Sequence, residues 1–314
     1  MGFYQYSGRV LMLPILLCLA GLLGACQAGP DDASAPEGLQ MVSLSVTNYR
    51  QISFDDLSAG ETRATETVSM TLANMSLTVF DAETGAIVTP TILHKSDDYL
   101  DKPLEFPSFT IALPSGRYRV LVLGYNGSQA CNIQSLERIS WADNYVPNTF
   151  LYEGELVVDK GTSLNKEVTL EHVVAAFRLN AEDAIPSEMK KMRFIGSAGG
   201  TVLNARTGLA VQNTGRTSDI VVPASYVGRA GVDFTAYIFL PEEQTTGSYT
   251  VQALGQNDAI LYEKRFGDVP LRINYLTQWQ GNFFEKGSDD TPSVQGGLTV
   301  KWNMDWAGTL PAVP

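Results

Sequence analysis

Near the C-terminus Leu298, Val300, Trp302, Met304 and Trp306 alternate with Thr299, Lys301, Asn303 and Asp305, the cleanest two-residue period in the chain. Such alternation gives a β-strand one apolar face. Five large apolar side chains on one face make an exposed edge costly unless something covers it. Further β-rich runs predict strands over residues 42–47, 69–80, 87–92, 151–158, 166–179, 192–195, 261–266 and 271–279. Turn residues separate them, as in Asp81-Ala82-Glu83-Thr84-Gly85 and Asp159-Lys160-Gly161-Thr162-Ser163. One stretch, 132–142, has Ile133, Leu136 and Ile139 at helical spacing and predicts a short helix covering the end of a sheet.

A repeat organises these runs. Phe109-Thr110-Ile111-Ala112-Leu113-Pro114 leads to Gly116-x-Tyr118-x-Val120-x-x-Leu123-Gly124-x-Asn126. The pattern returns as Phe234-Thr235, then Leu240-Pro241, then Gly247-x-Tyr249-x-Val251-x-x-Leu254-Gly255-x-Asn257, its second part at identical spacing. Two β-rich runs flanking a Pro/Gly turn read as a hairpin in each copy. Each returning strand offers one apolar face and needs a second sheet over it. The copies lie 131 residues apart, about the span of one β-sandwich. The chain therefore reads as all-β, with few short helices and two tandem β-sandwich domains, 41–172 and 173–314, the second ending in the strand 297–306. The run 166–179 crosses the boundary near His172, which predicts stiff coupling between the two.

The first 25 residues differ from all this. Arg9 is their only charge, and residues 10–23 form an apolar run of 14 that ends in Leu23-Gly24-Ala25-Cys26. That run is short for a membrane span and fits an export signal, residues 1–25. The tetrapeptide resembles a bacterial lipobox, which implies that Cys26 is acylated and becomes the new N-terminus. The other reading is an ordinary secretory signal cut near Ala28. Residues 26–40 lack a continuous apolar face and read as a flexible tether, with folding expected to start near Met41.

The formal charge is −12, and losing residues 1–25 removes one arginine, giving −13. Such an acidic chain suits solubility and argues against a nucleic-acid partner. With Cys18 in the signal and Cys26 lipidated, Cys131 has no partner within the chain and reads as a small buried hydrophobe. Only His94 and His172 are present. There is no His-Glu-x-x-His, no Gly-x-Ser-x-Gly and no Cys-x-x-Cys, so no catalytic or metal residue is assigned, no cofactor is expected, and the chain reads as a non-enzyme. His94 reads as a solvated loop residue and His172 as a hydrogen-bonded residue within a sheet. The acid pairs Asp31-Asp32, Asp55-Asp56, Asp97-Asp98 and Asp289-Asp290 read as solvated turns and linkers.

Taken in order, several pieces resemble fimbrillin-type pilus subunits. These are the lipobox, the Thr62-Arg63-Ala64-Thr65 loop with the following Met70-to-Asp81 strand and Gly85 turn, and Leu113-Pro114-x-Gly116-x-Tyr118. To them are added Val168-x-Leu170-x-x-Val173-x-Ala175-x-Phe177, Pro270-Leu271-x-x-Asn274-x-x-Thr277 and the Trp302-to-Trp306 strand. The resemblance implies two transthyretin-like β-sandwich domains, export as an outer-membrane lipoprotein, and assembly with other subunits into an extracellular type V fimbrium, with a host or microbial surface receptor as a further partner. It also implies that an arginine-specific protease cuts after an arginine behind the first strand, removing lipid and strand together and leaving a groove for another subunit's strand. Arg63 lies among small polar residues and is the favoured cleavage position, with Arg50 the second candidate. Leu298, Val300, Trp302, Met304 and Trp306 are the donor-strand candidates, worth together about 10 kcal/mol of apolar burial. The alternatives are that the terminal strand closes its own domain, that the anchor is kept, and that the chain is a surface lipoprotein binding glycans on aromatic faces, with Trp141, Trp279, Trp302 and Trp306 available.

Overall fold

The computed structural model describes residues 38–49, 72–96, 107–285 and 298–302. The signal 1–25, Cys26, most of the tether, Arg50, Arg63, Met304 and Trp306 lie outside the described residues, as do all four of the acid pairs above.

The first half contributes nine strands: β1 (Leu39–Tyr49), β2 (Asn74–Asp81), β3 (Ile92–Lys95), β4 (Ser108–Pro114), β5 (Gly116–Tyr125), β6 (Cys131–Ser135), β7 (Arg138–Trp141), β8 (Thr149–Val158) and β9 (Leu164–His172). One layer has the order β3-β2-β5-β8 and the other β9-β1-β4. The two are linked at a corner where Phe150 and Leu151 of β8 pair with His172 and Glu171 of β9. Alternate positions of six strands face the shared core: Val42, Leu44 and Val46; Met75, Leu77 and Val79; Phe109, Ile111 and Leu113; Tyr118, Val120 and Val122; Phe150, Leu156 and Val158; and Val168 with Leu170. The period of two seen in the sequence is thus the period of burial.

The second half adds ten: β10 (Ala175–Ala181), β11 (Lys191–Gly196), β12 (Val202–Asn204), β13 (Leu209–Ala210), β14 (Arg216–Val221), β15 (Val232–Ile238), β16 (Gln244–Leu254), β17 (Ile260–Arg272), β18 (Tyr275–Gly281) and β19 (Leu298–Trp302). Its layers are β14-β11-β16-β17 and β15-β10-β18-β19. They close over an aromatic core in which Phe177 meets Phe194, Tyr249 and Phe266 with ring centroids 5.9, 4.7 and 5.5 Å away.

The two halves repeat one strand order. β14-β11-β16-β17 corresponds to β3-β2-β5-β8, and β18-β10-β15 to β9-β1-β4. Pairing sense agrees too: β1 is parallel to β9 and antiparallel to β4, and β10 is parallel to β18 and antiparallel to β15. Among the described residues β19 has no counterpart in the first half, nor do β12 and β13, which lie between β11 and β14 whereas β6 and β7 lie between β5 and β8.

The repeat is not a hairpin, and that expectation is corrected. β4 pairs with β1 while β5 pairs with β2 and β8, so the Pro114-Ser115-Gly116 turn carries the chain from one layer of the sandwich to the other. The second copy does the same, β15 pairing with β10 and β16 with β11 and β17. A tight turn between β-rich runs has the same local chemistry whether the strands lie side by side or face each other.

The helix expected over 132–142 is also corrected. This stretch forms β6 and β7, a hairpin turning at Leu136-Glu137 and followed by a 3-10 turn at Ala142–Asn144. Ile139 and Trp141, two apart, both point inward as a strand requires, and β7 gains a second partner in β12. Tertiary pairing outweighs the weak helical spacing. Of the expected strand 87–92, Ile87 makes an isolated bridge to Phe80 and regular pairing starts at Ile92. The run 166–179 is broken at Val173-Val174 into β9 and β10, and 271–279 turns at Asn274, where φ is +65°. His94 sits in β3 with its ring 4.9 Å from that of Phe109, half-buried instead of solvated in a loop.

A four-stranded sheet, β13-β12-β7-β6, draws two strands from each half. Under it lies a third apolar cluster that includes Phe80, Leu121, Leu123, Ile139, Trp141, Val173, Val174, Leu203 and Phe239, residues of both halves packed together.

Candidate assembly strands

β1 is the first strand, the one that the expected cleavage would remove. Val42, Leu44 and Val46 have 0, 0 and 2% exposure, while Ser43 and Ser45 alternate with them at intermediate positions. Seven pairs tie β1 to β4, from Leu39 against Pro114 to Ser45 against Ser108. The hydroxyls of Ser45 and Ser108 lie 3.2 Å apart. On its other side β1 runs parallel to β9, from Val42 against Leu164 to Tyr49 against Leu170, with a register shift between Val46 and Asn48. Burial of its three inward side chains contributes roughly 5–9 kcal/mol. Lifting β1 out would bare two strand edges and a trough floored by Leu77, Val79, Val120 and Val122. Arg50 follows its last residue directly.

The second candidate strand, β19, lies on the outer edge of the second half's sheet. It runs antiparallel to β18, with Leu298 opposite Trp279, Val300 opposite Thr277 and Trp302 opposite Tyr275. In this structure Leu298, Val300 and Trp302 are therefore paired within their own chain, and the expected strand 297–306 is observed over 298–302. β18 itself is held from its other side by β10. Trp279 packs at 5.5 Å against Phe266, and Lys264 Nζ sits 5.1 Å from its ring.

The seam between the halves carries a polar device that sequence patterns did not reveal. His172 ends β9, is buried, and stacks on Phe150 with centroids 4.3 Å apart. Its Nε2 lies 2.6 Å from Asn148 Oδ1 and its Nδ1 2.8 Å from Asn274 Oδ1, so the ring bridges the start of β8 and the turn before β18. A neutral imidazole has one N–H and one lone pair, so one amide must donate to it. Asn274, whose Nδ2 otherwise has no partner, does so when its amide is turned over. Burial pushes the imidazole down to about 4. Its strand position agrees with the sequence reading; the two asparagine partners are distant in sequence and could not be read there.

The remaining candidates are structural. Cys131 begins β6, is partly buried, and burial pushes its thiol up to about 12, which removes thiolate reactivity near neutrality. Trp141 and Trp279 lie in apolar cores and offer no exposed face for a sugar. Among the described residues no group of three His, Cys, Asp or Glu side chains could hold a metal ion, and no helix is long and apolar enough to cross a membrane.

No protein-family model and no curated protein sequence matches the chain. The chain is similar to solved structures described as fimbrial proteins. The tip fimbrial protein Mfa3 from Porphyromonas gingivalis, with C-terminal truncation, is 11% identical and matches at a TM-score of 0.40 over 83% of this chain and 99% of that one. A fimbrial assembly protein from Parabacteroides distasonis is 13% identical at a TM-score of 0.42 over 87% of this chain and 98% of that one. The likeness is one of all-β architecture.

Proposed function

We propose that the chain is a structural or adhesive subunit of a type V, fimbrillin-like pilus, exported as a lipoprotein on Cys26 and joined to its neighbours by exchange of β-strands. The observation that carries this reading is the placement of β1: an N-terminal strand enclosed between β4 and β9, burying Val42, Leu44 and Val46, with arginines in the segment behind it. Cleavage after Arg63, or after Arg50, would release lipid and β1 together. The open trough would then accept a strand of matching period from another subunit. Residues 298–306 have that period, and 298–302 sit at a sheet edge, bound to one neighbour by five residue pairs. Main-chain bonds would give such an insertion affinity and the alternating side chains its register. Other subunits are then the principal partners, and the outer membrane and the extracellular filament are the two locations, before and after processing. A receptor on a host or microbial surface belongs to the adhesive form of this reading.

The test is the N-terminus of the chain in membrane and sheared surface fractions, read by mass spectrometry. The proposal expects acylated Cys26 in the membrane fraction and Ala64 in the filament fraction, or Gln51 if Arg50 is the cut. An Arg63→Ala, Arg50→Ala double variant should keep its acylated start and be missing from sheared filaments. Filaments composed of chains that begin at Cys26 would overturn the exchange mechanism.

A further inference from the structure

We infer that the chain stacks head to tail on a second copy of itself, the free end of one copy's second sandwich seating on the free end of the next copy's first sandwich. This is a contact between surfaces and needs no exchanged strand, so it does not depend on the pilus reading.

The two sandwiches follow each other in one sense. β10 holds in the second the place of β1 in the first, and each starts at the end of its sandwich where the Gly-x-Tyr-x-Val strand also starts, β5 at Gly116 and β16 at Gln244. β9 leads through Val173 and Val174 into β10, so the finishing end of the first sandwich meets the starting end of the second. The outer ends of the molecule are therefore a starting end and a finishing end, the same two kinds of surface that meet at the seam.

At the seam these surfaces bury apolar side chains against each other. Leu123 and Leu151, paired across β5 and β8 at the finishing end of the first sandwich, share a cluster with residues of the second. These are Leu203, Ala205 and Ala210, from the segment between β11 and β14, and Phe239.

Both sides of this contact have counterparts that lie open. Leu254 repeats Leu123, and opposite it Ile260 stands in the place of Leu151. Leu151 is 6% exposed and Ile260 57%, and Val221, in the same row across the sheet, is 75% exposed. In the first sandwich the place of the segment between β11 and β14 belongs to the segment between β2 and β3, where Ile87 and Val88 are 43 and 41% exposed. A single exposed valine or isoleucine is ordinary on a protein surface. Here the place that a neighbouring sandwich covers at Leu151 is bare at Ile260, and the segment that does the covering within the chain has a bare apolar equivalent at the other end. Stacking brings Ile260 and Val221 of one copy against Ile87 and Val88 of the next and removes all four from water. Charge does not oppose it, although the chain is acidic. The starting end carries Glu83 and Asp159 with Arg117 and Lys160, and the finishing end Glu188 and Asp258 with Lys190 and Arg229, so each has both signs. A heterologous contact of this kind adds copies in one direction without closing on itself.

The experiment is analytical sedimentation of the purified full chain carrying Cys26→Ser, so that no acyl chain drives association. With β1 in place, the mass should rise with concentration across the micromolar to millimolar range and pass beyond that of a dimer. Val221→Asp with Ile260→Asp spoils the finishing end, and Ile87→Asp with Val88→Asp the starting end. All four side chains are exposed, so melting temperatures should stay close to that of the parent chain while each pair weakens association at least about tenfold. Mixed in equal amounts, the two variants should give dimers and nothing larger, since each retains the end that the other has lost. Val211→Asp, exposed but next to β13 at the seam, should leave association as it is. A monomer throughout the range, association untouched by the end substitutions, an equal loss in Val211→Asp, or no dimer in the mixture would overturn the inference. None of these outcomes bears on where the chain begins in membrane and sheared fractions, so the two readings fail separately.

Discussion

β1 and β10 occupy equivalent places in two sandwiches of one strand order, each parallel to one neighbour and antiparallel to the other. They differ in what they bring to the core and how they are tied to the chain. β10 inserts Phe177, which touches three other aromatic rings, and only Val173 and Val174 separate it from β9. β1 inserts Val42, Leu44 and Val46, with no ring among them, and residues 50–73 separate it from β2. The two slots thus share one strand order, one filled by a strand built into the aromatic core and the other by a strand that, under the proposed function, a cut behind it would free.

Truncation of each slot's central residue tests this contrast most strongly. Phe177→Ala should cost about 4 kcal/mol and Leu44→Ala about 3 kcal/mol in denaturant unfolding of the intact chain. After cleavage behind β1, the Leu44 difference should vanish and the Phe177 difference should remain. Persistence of both would mean that β1 stays seated after the cut.

Acid sharpens the comparison along a second axis, because β9 ends in His172 while its counterpart β18 contains no histidine. The folded imidazole titrates near 4 and the unfolded one near its ordinary 6.5, so between these values the unfolded chain binds the extra proton. Stability from this group is therefore complete above about pH 6.5 and lost as pH falls toward 4, by about 3 kcal/mol in all. A His172→Gln variant should show a correspondingly flatter profile between pH 7 and pH 4, and an unchanged profile would remove His172 as the cause.

The smallest effect concerns the outer faces. On the second half Asp219 takes two bonds of 2.7 Å from Arg193 and one of 2.9 Å from Lys191, with Asp258 completing the cluster. On the first half Arg119 pairs with Glu153 across β5 and β8. These are surface pairs, so Asp219→Asn should cost less than about 1 kcal/mol, and less again at high salt. A larger loss in urea titrations would show that the outer faces distinguish the halves as much as the cores do.

The repeated strand order was legible because Gly116-x-Tyr118-x-Val120 and Gly247-x-Tyr249-x-Val251 preserve inward positions that the same packing demands twice. The partner of each strand was not legible. Pro114-Ser115-Gly116 has identical turn chemistry for a hairpin and for a crossing between layers, and the answer lies in β1, far away in sequence. Residues 132–142 failed for the same reason, since β7 is a strand partly because Val202 and Leu203 lie beside it. Of the candidate assembly strands, β1 and the 298–302 segment were readable as alternating runs, but not the strands that bound them.

The joint between the sandwiches has a mechanical consequence. Val173 and Val174 are both buried, Val173 N–H bonds to Thr149 O at 3.1 Å, and Asn274 N–H bonds to Val174 O at 2.7 Å, so neither peptide is at liberty to act as a hinge. A thread made by linking such molecules end to end would bend where one copy meets the next and stay stiff within each copy.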